Sequence, residues 1–309
     1  MGPSNDPIPT ILALDAHVQE ELRRKDEQVK QKQRHEREMK LRGHAFSRTP
    51  LDGEERIHFD SATSACYESF PYGNVVEGLL ANRSSVIAVI VCHPWGPLGG
   101  SMHDPTVVSV VGLMADAGLT TLRFNFRYGI GRGHGAGADL RAACAAVMSL
   151  DSPPEALVLV GYSYGSLVVA DVAPTMPNVC AFAMIAPPLG FEHRLFCGRT
   201  VSKQAQRSDK HKLAFIGAND QFCTPSTFHE YTRYMSPTST SVKIILGESV
   251  PCGDHGCHKA HQTRVDHFSI RAHVDKMFVP WLEETFACSF SELAHNAKVP
   301  RHGAEEHCE

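Results

Sequence analysis

Ser163 stands between Gly161 and Gly165 at the end of the apolar run Ala156 to Val160. A run that short, bounded by Pro153 and Pro154, reads as a buried strand of a parallel sheet. Leu167, Val168, Val169, Ala170 and Val172 then carry an apolar surface as far as Pro174, which reads as a helix. A serine at so sharp a strand-to-helix turn is held in a strained backbone geometry and projects its Oγ above the sheet, where it can act as a nucleophile. Two other residues supply what such a serine requires. Asp220 follows the expected strand Lys212 to Ile216 through Gly217-Ala218-Asn219, and His267 comes after the expected strand Ser241 to Leu246 and opens the last helix. A carboxylate that orients an imidazole, and an imidazole that takes the hydroxyl proton, would make Ser163 an acyl acceptor. The oxyanion formed in that step needs donors. The backbone N–H groups of Tyr164, at the start of the helix, and of Trp95, in the glycine-rich loop His93 to Gly100, are assigned to it.

The elements that must position these groups alternate along the chain. Strands are expected over Arg56 to Phe59, Asn74 to Leu80, Ser84 to Cys92, Thr120 to Phe126, Ala156 onward, Val179 to Ile185, Lys212 to Ile216 and Ser241 to Leu246. Helices are expected over Val107 to Ala117, Ala136 to Leu150, Ser166 to Pro174, Ser226 to Tyr234 and Phe268 to Phe286. This alternation predicts an α/β fold, a doubly wound and mostly parallel sheet with helices on both faces and its chemistry at the carboxyl ends of the strands. Residues 1–48 read as a charged helical or partly disordered arm. Pairs such as Glu20 with Arg24 and Glu36 with Lys40 support a solvated helix, and a protein partner could bind there. The domain is expected over 49–287, with an insertion at 249–264, followed by a C-terminal tail at 288–309.

Composition narrows the function classes. The chain has 309 residues, 42% of them apolar and 21% charged, with a formal net charge of -4 and no long stretch of one sign, so no nucleic-acid partner is expected. The run Val86 to Cys92 is far too short to span a bilayer. Ten cysteines in dissimilar contexts, including Cys92, Cys144 and Cys180 in apolar elements, suit reduced thiols and a cytoplasmic location. Gly129, Gly131, Gly133, Gly135 and Gly137 follow a strand and precede a helix, yet Asp151 precedes the next strand where a ribose-binding acid should end it, so no dinucleotide cofactor is expected. Cys252, Cys257, His258 and His261 crowd four metal-ligand types into ten residues, a cramped geometry for one zinc ion, and no metal is assigned.

Five blocks in order carry a resemblance. Cys92-His93-Pro94 with Gly99-Gly100-Ser101-Met102, Leu122 to Arg127, Gly161-Tyr162-Ser163-Tyr164-Gly165, Ala186-Pro187-Pro188 and Asp266-His267-Phe268 resemble the small, lidless α/β-hydrolases of the dienelactone hydrolase and serine aminopeptidase-like group. The resemblance covers about residues 54 to 287 and implies a hydrolase with the triad Ser163, Asp220 and His267. It also implies an open site, with Trp95, Phe191, Leu195 and Phe196 as apolar walls for a small or medium acyl group. The chain departs from the group in its arm, its tail and the insertion before His267. His255, inside that insertion, lies among glycines and polar residues, whereas His267 precedes an apolar stripe of Phe268, Ile270, Val274, Met277, Phe278 and Trp281 that would anchor it. An ester or thioester hydrolase acting on a small-molecule acyl substrate is the expected activity. A peptidase of the serine aminopeptidase type and a non-catalytic scaffold retaining the fold are the alternatives. No charged residue that would fix an amino terminus is identifiable from the sequence.

Overall fold

The computed structural model describes residues 50–61, 75–127, 135–190, 203–236, 240–245, 249–250, 261–262 and 265–300. The arm, the glycines at 129, 131 and 133, the walls Phe191, Leu195 and Phe196, and Cys252, His255, Cys257 and His258 of the insertion lie outside the described residues.

Eight strands form one sheet in the order β1-β2-β4-β3-β5-β6-β7-β8. They are β1 (Glu55–Asp60), β2 (Val75–Ala81), β3 (Ile87–Cys92), β4 (Thr120–Phe124), β5 (Ala156–Tyr162), β6 (Val179–Ile185), β7 (His211–Gly217) and β8 (Thr240–Ile245). The six from β3 to β8 are mutually parallel, and β1 and β2 add an antiparallel edge beside β4. Alternation within each central strand builds two cores. Ala88, Ile90 and Cys92 of β3 and Leu157 and Leu159 of β5 face α2 (Ala136–Met148) and α3 (Tyr164–Val172). Ile87, Val89 and Val91, with Val158 and Val160, face α1 (Pro105–Asp116) and the last long helix, Val274–Phe286. Each fully buried aliphatic side chain contributes on the order of 1.5–3 kcal/mol, so burial on both faces fixes the register of these strands.

Between α3 and the last long helix lie α4 (Lys203–Arg207) and α5 (Pro225–Thr232), so that helix is α6, and α7 (Leu293–Asn296) follows it. Two short strands, β9 (Ser249–Val250) and β10 (His261–Gln262), pair antiparallel at the base of the insertion.

Several boundaries differ from expectation for local reasons. β3 starts at Ile87 because Ser84 is left-handed (φ 50°) and the Ser85 hydroxyl donates to the Ile87 carbonyl at 2.6 Å while accepting from Thr120 N–H at 2.7 Å. The last helix does not begin at Phe268. A 3₁₀ turn over Ser269–His273 comes first, which rotates Phe268 off the apolar stripe and leaves it 69% exposed. The packed body also runs past residue 287. Leu293 and Ala294 are buried in the core, and the Ala294 carbonyl accepts from Val86 N–H at 3.0 Å.

Candidate active site

The serine strand ends in a turn that only its glycines allow. Ser163 has φ 52° and ψ −119°, and its N–H donates to the Ile185 carbonyl at the end of β6. A Cβ on Gly161 would lie 2.4 Å from the Gly165 carbonyl, and one on Gly165 would lie 2.5 Å from the Cys92 carbonyl. Without those two side chains, α3 starts directly against the ends of β5 and β3 and Ser163 is held at the head of the helix.

The loop from His93 to Asp104 is fastened at several points. Gly99 has φ 89°, and a Cβ on Gly100 would sit 2.3 Å from the Pro94 carbonyl, so the loop folds back on itself around a 3₁₀ turn at Gly96–Leu98. The His93 imidazole is wholly buried. Its Nε2 accepts from Phe126 N–H at 3.0 Å, so Nδ1 carries the proton and donates to the Pro94 carbonyl at 2.5 Å. Burial holds the His93 pKa down at about 4. Farther along, Met102 donates to Asn125 Oδ1 and accepts from Arg123 Nη1, both at 2.9 Å. Arg123 is itself clamped by Glu54 through bonds of 2.8 and 2.6 Å, and both side chains are 1% exposed. Trp95 sits in this loop, half-buried against the core.

Asp220 and His267 meet because a third glycine brings their loops together. A Cβ on Gly217 would stand 2.3 Å from the Val265 carbonyl, and Asn219 N–H donates to that same carbonyl at 2.9 Å. The segment before His267 therefore runs against the end of β7. Asp220 Oδ2 accepts from His267 Nδ1 at 2.9 Å, while Oδ1 accepts from Phe222 and Cys223 N–H at 2.8 and 3.0 Å. With Nδ1 donating to a carboxylate, Nε2 of the neutral ring is the basic nitrogen. Both side chains are almost fully buried.

Tyr162, the last residue of β5, fixes this imidazole twice. Its ring stacks on His267 with centroids 5.2 Å apart, and its hydroxyl donates to the His267 carbonyl at 3.1 Å. Phe222 packs edge-on against the same imidazole, with ring centroids 4.8 Å apart. Asp266 Oδ1 accepts from Phe268 and Ser269 N–H and from the Ser269 hydroxyl, which turns the chain directly after His267 and holds the Asp266 carboxyl below its usual pKa.

Ser163 and His267 line one cavity of about 180 Å³. Trp95 and Tyr164 also line it, and so do Leu98, Pro188, Phe222 and Phe268, which sequence reasoning had not assigned to the site. Leu98 and Phe268 are large apolar residues exposed at 73% and 69%. Asp104, the N-cap of α1, also reaches the cavity. Among the described residues, no group of three or more His, Cys, Asp or Glu side chains could hold a metal ion, and no helix is long and apolar enough to cross a membrane.

No protein-family model matches the chain. It is similar to the uncharacterized protein RP471 of Rickettsia prowazekii (strain Madrid E), with 28% identity over 137 residues, 41% of this chain and 57% of that relative. The match thus spans little more than half of the relative's length. Among solved structures, XC6422 from Xanthomonas campestris, described as an α/β serine hydrolase without a lid, aligns with a TM-score of 0.54 and 20% identity over 76% of this chain and 98% of its own. An α-β serine hydrolase homologue from Coxiella burnetii gives 0.51 and 20% over 77% and 99%. Pyrococcus furiosus esterase Pf2001 gives 0.55 and 13% over 75% and 90%. The chain has the α/β-hydrolase fold, an eight-stranded and mostly parallel sheet with helices on both faces.

Proposed function

We propose that this protein is a serine hydrolase that cleaves an ester or thioester of a small to medium acyl group with the triad Ser163, Asp220 and His267. The observation that carries the reading is the convergence on one cavity of a strained serine at the head of α3 and a histidine whose Nδ1 is bound to a buried carboxylate. His267 Nε2 takes the Ser163 proton as Oγ attacks the acyl carbonyl, and Asp220 holds the ring and stabilises the imidazolium. The N–H groups of Trp95 and Tyr164 hold the oxyanion, His267 returns the proton to the leaving group, and water attacks the acyl-enzyme by the same route. A cavity of about 180 Å³ with mainly apolar walls favours a short acyl chain, being smaller than the ~300–1,000 Å³ typical of drug-sized sites. The hydrolase and esterase names of the structural neighbours agree with the reaction class. Labelling with a fluorophosphonate followed by peptide mass spectrometry tests the reading. The adduct is expected on Ser163 and absent from Ser163→Ala; an unlabelled wild-type protein that also leaves short p-nitrophenyl esters intact overturns it.

A further inference from the structure

Among the described residues that line the cavity, Asp104 is the single carboxylate, and no lysine or arginine is present. Its place follows from the fold. Pro105 occupies the first helical position of α1, Asp104 accepts from Thr106 N–H at 2.8 Å as the N-cap, and the loop before it is tied to β4 through Met102. Asp104 therefore sits at a fixed point beside Tyr162 and within electrostatic reach of His267.

Most of what surrounds this carboxylate is apolar. Trp95, Leu98, Pro188, Phe222 and Phe268 supply the walls. Burial raises the Asp104 pKa, and the Thr106 and Val107 N–H groups, the Thr106 hydroxyl and the His267 charge oppose that rise. A carboxylate has about four acceptor positions, so donors from the first turn of α1 leave capacity for a ligand. A partly desolvated anion on a cavity wall attracts a cation and repels an anion, and a charge-assisted hydrogen bond is worth roughly 1.5–3 kcal/mol.

On this basis, and resting on the hydrolase reading above, we propose that Asp104 selects the substrate: the site takes acyl groups that carry a protonated amine, accepts uncharged ones less well and excludes those that carry a carboxylate. Asp104 is the charged residue for an amino group that the sequence did not reveal. It brings aminoacyl esters, and with them the aminopeptidase-like alternative, into the substrate range.

Three methyl esters that differ in one group test this. Alanine methyl ester, methyl isobutyrate and monomethyl methylmalonate carry ammonium, methyl and carboxylate on the same α-carbon, and a second set carries the same groups on the β-carbon. Turnover is followed by proton release and methanol at pH 7, with Ser163→Ala as the blank. In the wild type, kcat/KM should fall in the order ammonium, methyl, carboxylate in at least one set, by about tenfold or more between neighbours. Asp104→Asn keeps a good helix cap and removes the charge, and should reduce the ammonium-to-methyl ratio about tenfold while raising the carboxylate ester relative to the methyl ester. Asp104→Ser, also a capping residue, should behave the same way. If Asp104 is only a cap, every ester changes by one factor and the ratios stay put, which overturns the proposal. Equal wild-type turnover of all three esters in both sets, with Ser163 still required, overturns the proposal and leaves the hydrolase reading standing. Turnover that does not depend on Ser163 overturns the hydrolase reading itself.

Discussion

Ser163 holds a backbone conformation that costs an L-residue about 1–3 kcal/mol, and neighbours at van der Waals limits keep it there. Ser163→Ala and Ser163→Gly should both lose activity by roughly 10³-fold or more, because both lack the nucleophile. They should differ in stability. Alanine keeps the strained Cβ and glycine does not, so chemical denaturation should find the glycine variant more stable by about 1 kcal/mol; equal stabilities would mean that the turn is relaxed. Asp220 has two duties that can be separated. Asparagine can still accept from Phe222 and Cys223 N–H but cannot hold His267 as a carboxylate does, so Asp220→Asn should lose about 10⁴ in kcat with a small change in melting temperature. Asp220→Ala should lose the turn as well and melt lower by an amount corresponding to about 1–3 kcal/mol. Near-normal turnover in Asp220→Asn would remove Asp220 from the triad. Oδ1 serves the turn and Oδ2 the imidazole, one oxygen to each job.

At the scale of elements, short contacts between loop ends decide which side chains meet. Gly217 is the clearest case. Its missing Cβ lets the chain before His267 lie on the end of β7, so Gly217→Ala must push those segments apart. The expected cost is about 1–3 kcal/mol, with a fall in kcat larger than that loss of stability alone would produce at 25 °C. Full activity in this variant, measured on a p-nitrophenyl ester, would show that the Asp220 and His267 loops are joined by other means. Contacts of this kind also set the limit of what the sequence discloses. The central strands were legible because residues buried on both faces form short apolar runs between breakers, as in Ile87 to Cys92 and Ala156 to Val160. Gly161 and Gly165 were legible because their role is local. Asp104 was not, since what separates a cap from a cavity carboxylate is the position of α1 relative to β5, and no spacing encodes that. Tyr162 was read as part of a motif, and its stacking on a residue 105 positions away shows only in three dimensions. Phe268 belongs to the apolar stripe by periodicity, yet the Asp266 turn and the 3₁₀ segment move it to the cavity rim.

For the whole molecule, the buried His93 makes stability depend on pH in a definite window. The ring joins the end of β3 to the end of β4 only in its neutral form, because Nε2 must accept from Phe126 N–H. Burial holds its pKa in the folded protein at about 4, against the ordinary histidine value of about 6.5. Between those values the unfolded chain binds a proton that the folded protein does not, so stability rises with pH through the window. The contribution is complete above about pH 6.5 and is lost as pH falls through the window toward 4, amounting to about 3 kcal/mol in all. Asp104 has the opposite sign. Its raised pKa favours the folded state at low pH and withdraws that contribution as pH rises through the folded value, so it opposes the contribution of His93. For a body of this size, 3 kcal/mol corresponds to roughly 6–12 °C in melting temperature. His93→Gln removes the titrating group, so from pH 7 to pH 4.5 the melting temperature of the wild type should fall several degrees further than that of the variant. The same comparison should show the variant less stable than wild type at pH 7, where the neutral ring makes both of its bonds, and closest to it at the acid end. Parallel melting curves for the two proteins across this range would exclude His93 as the group that sets the acid limb.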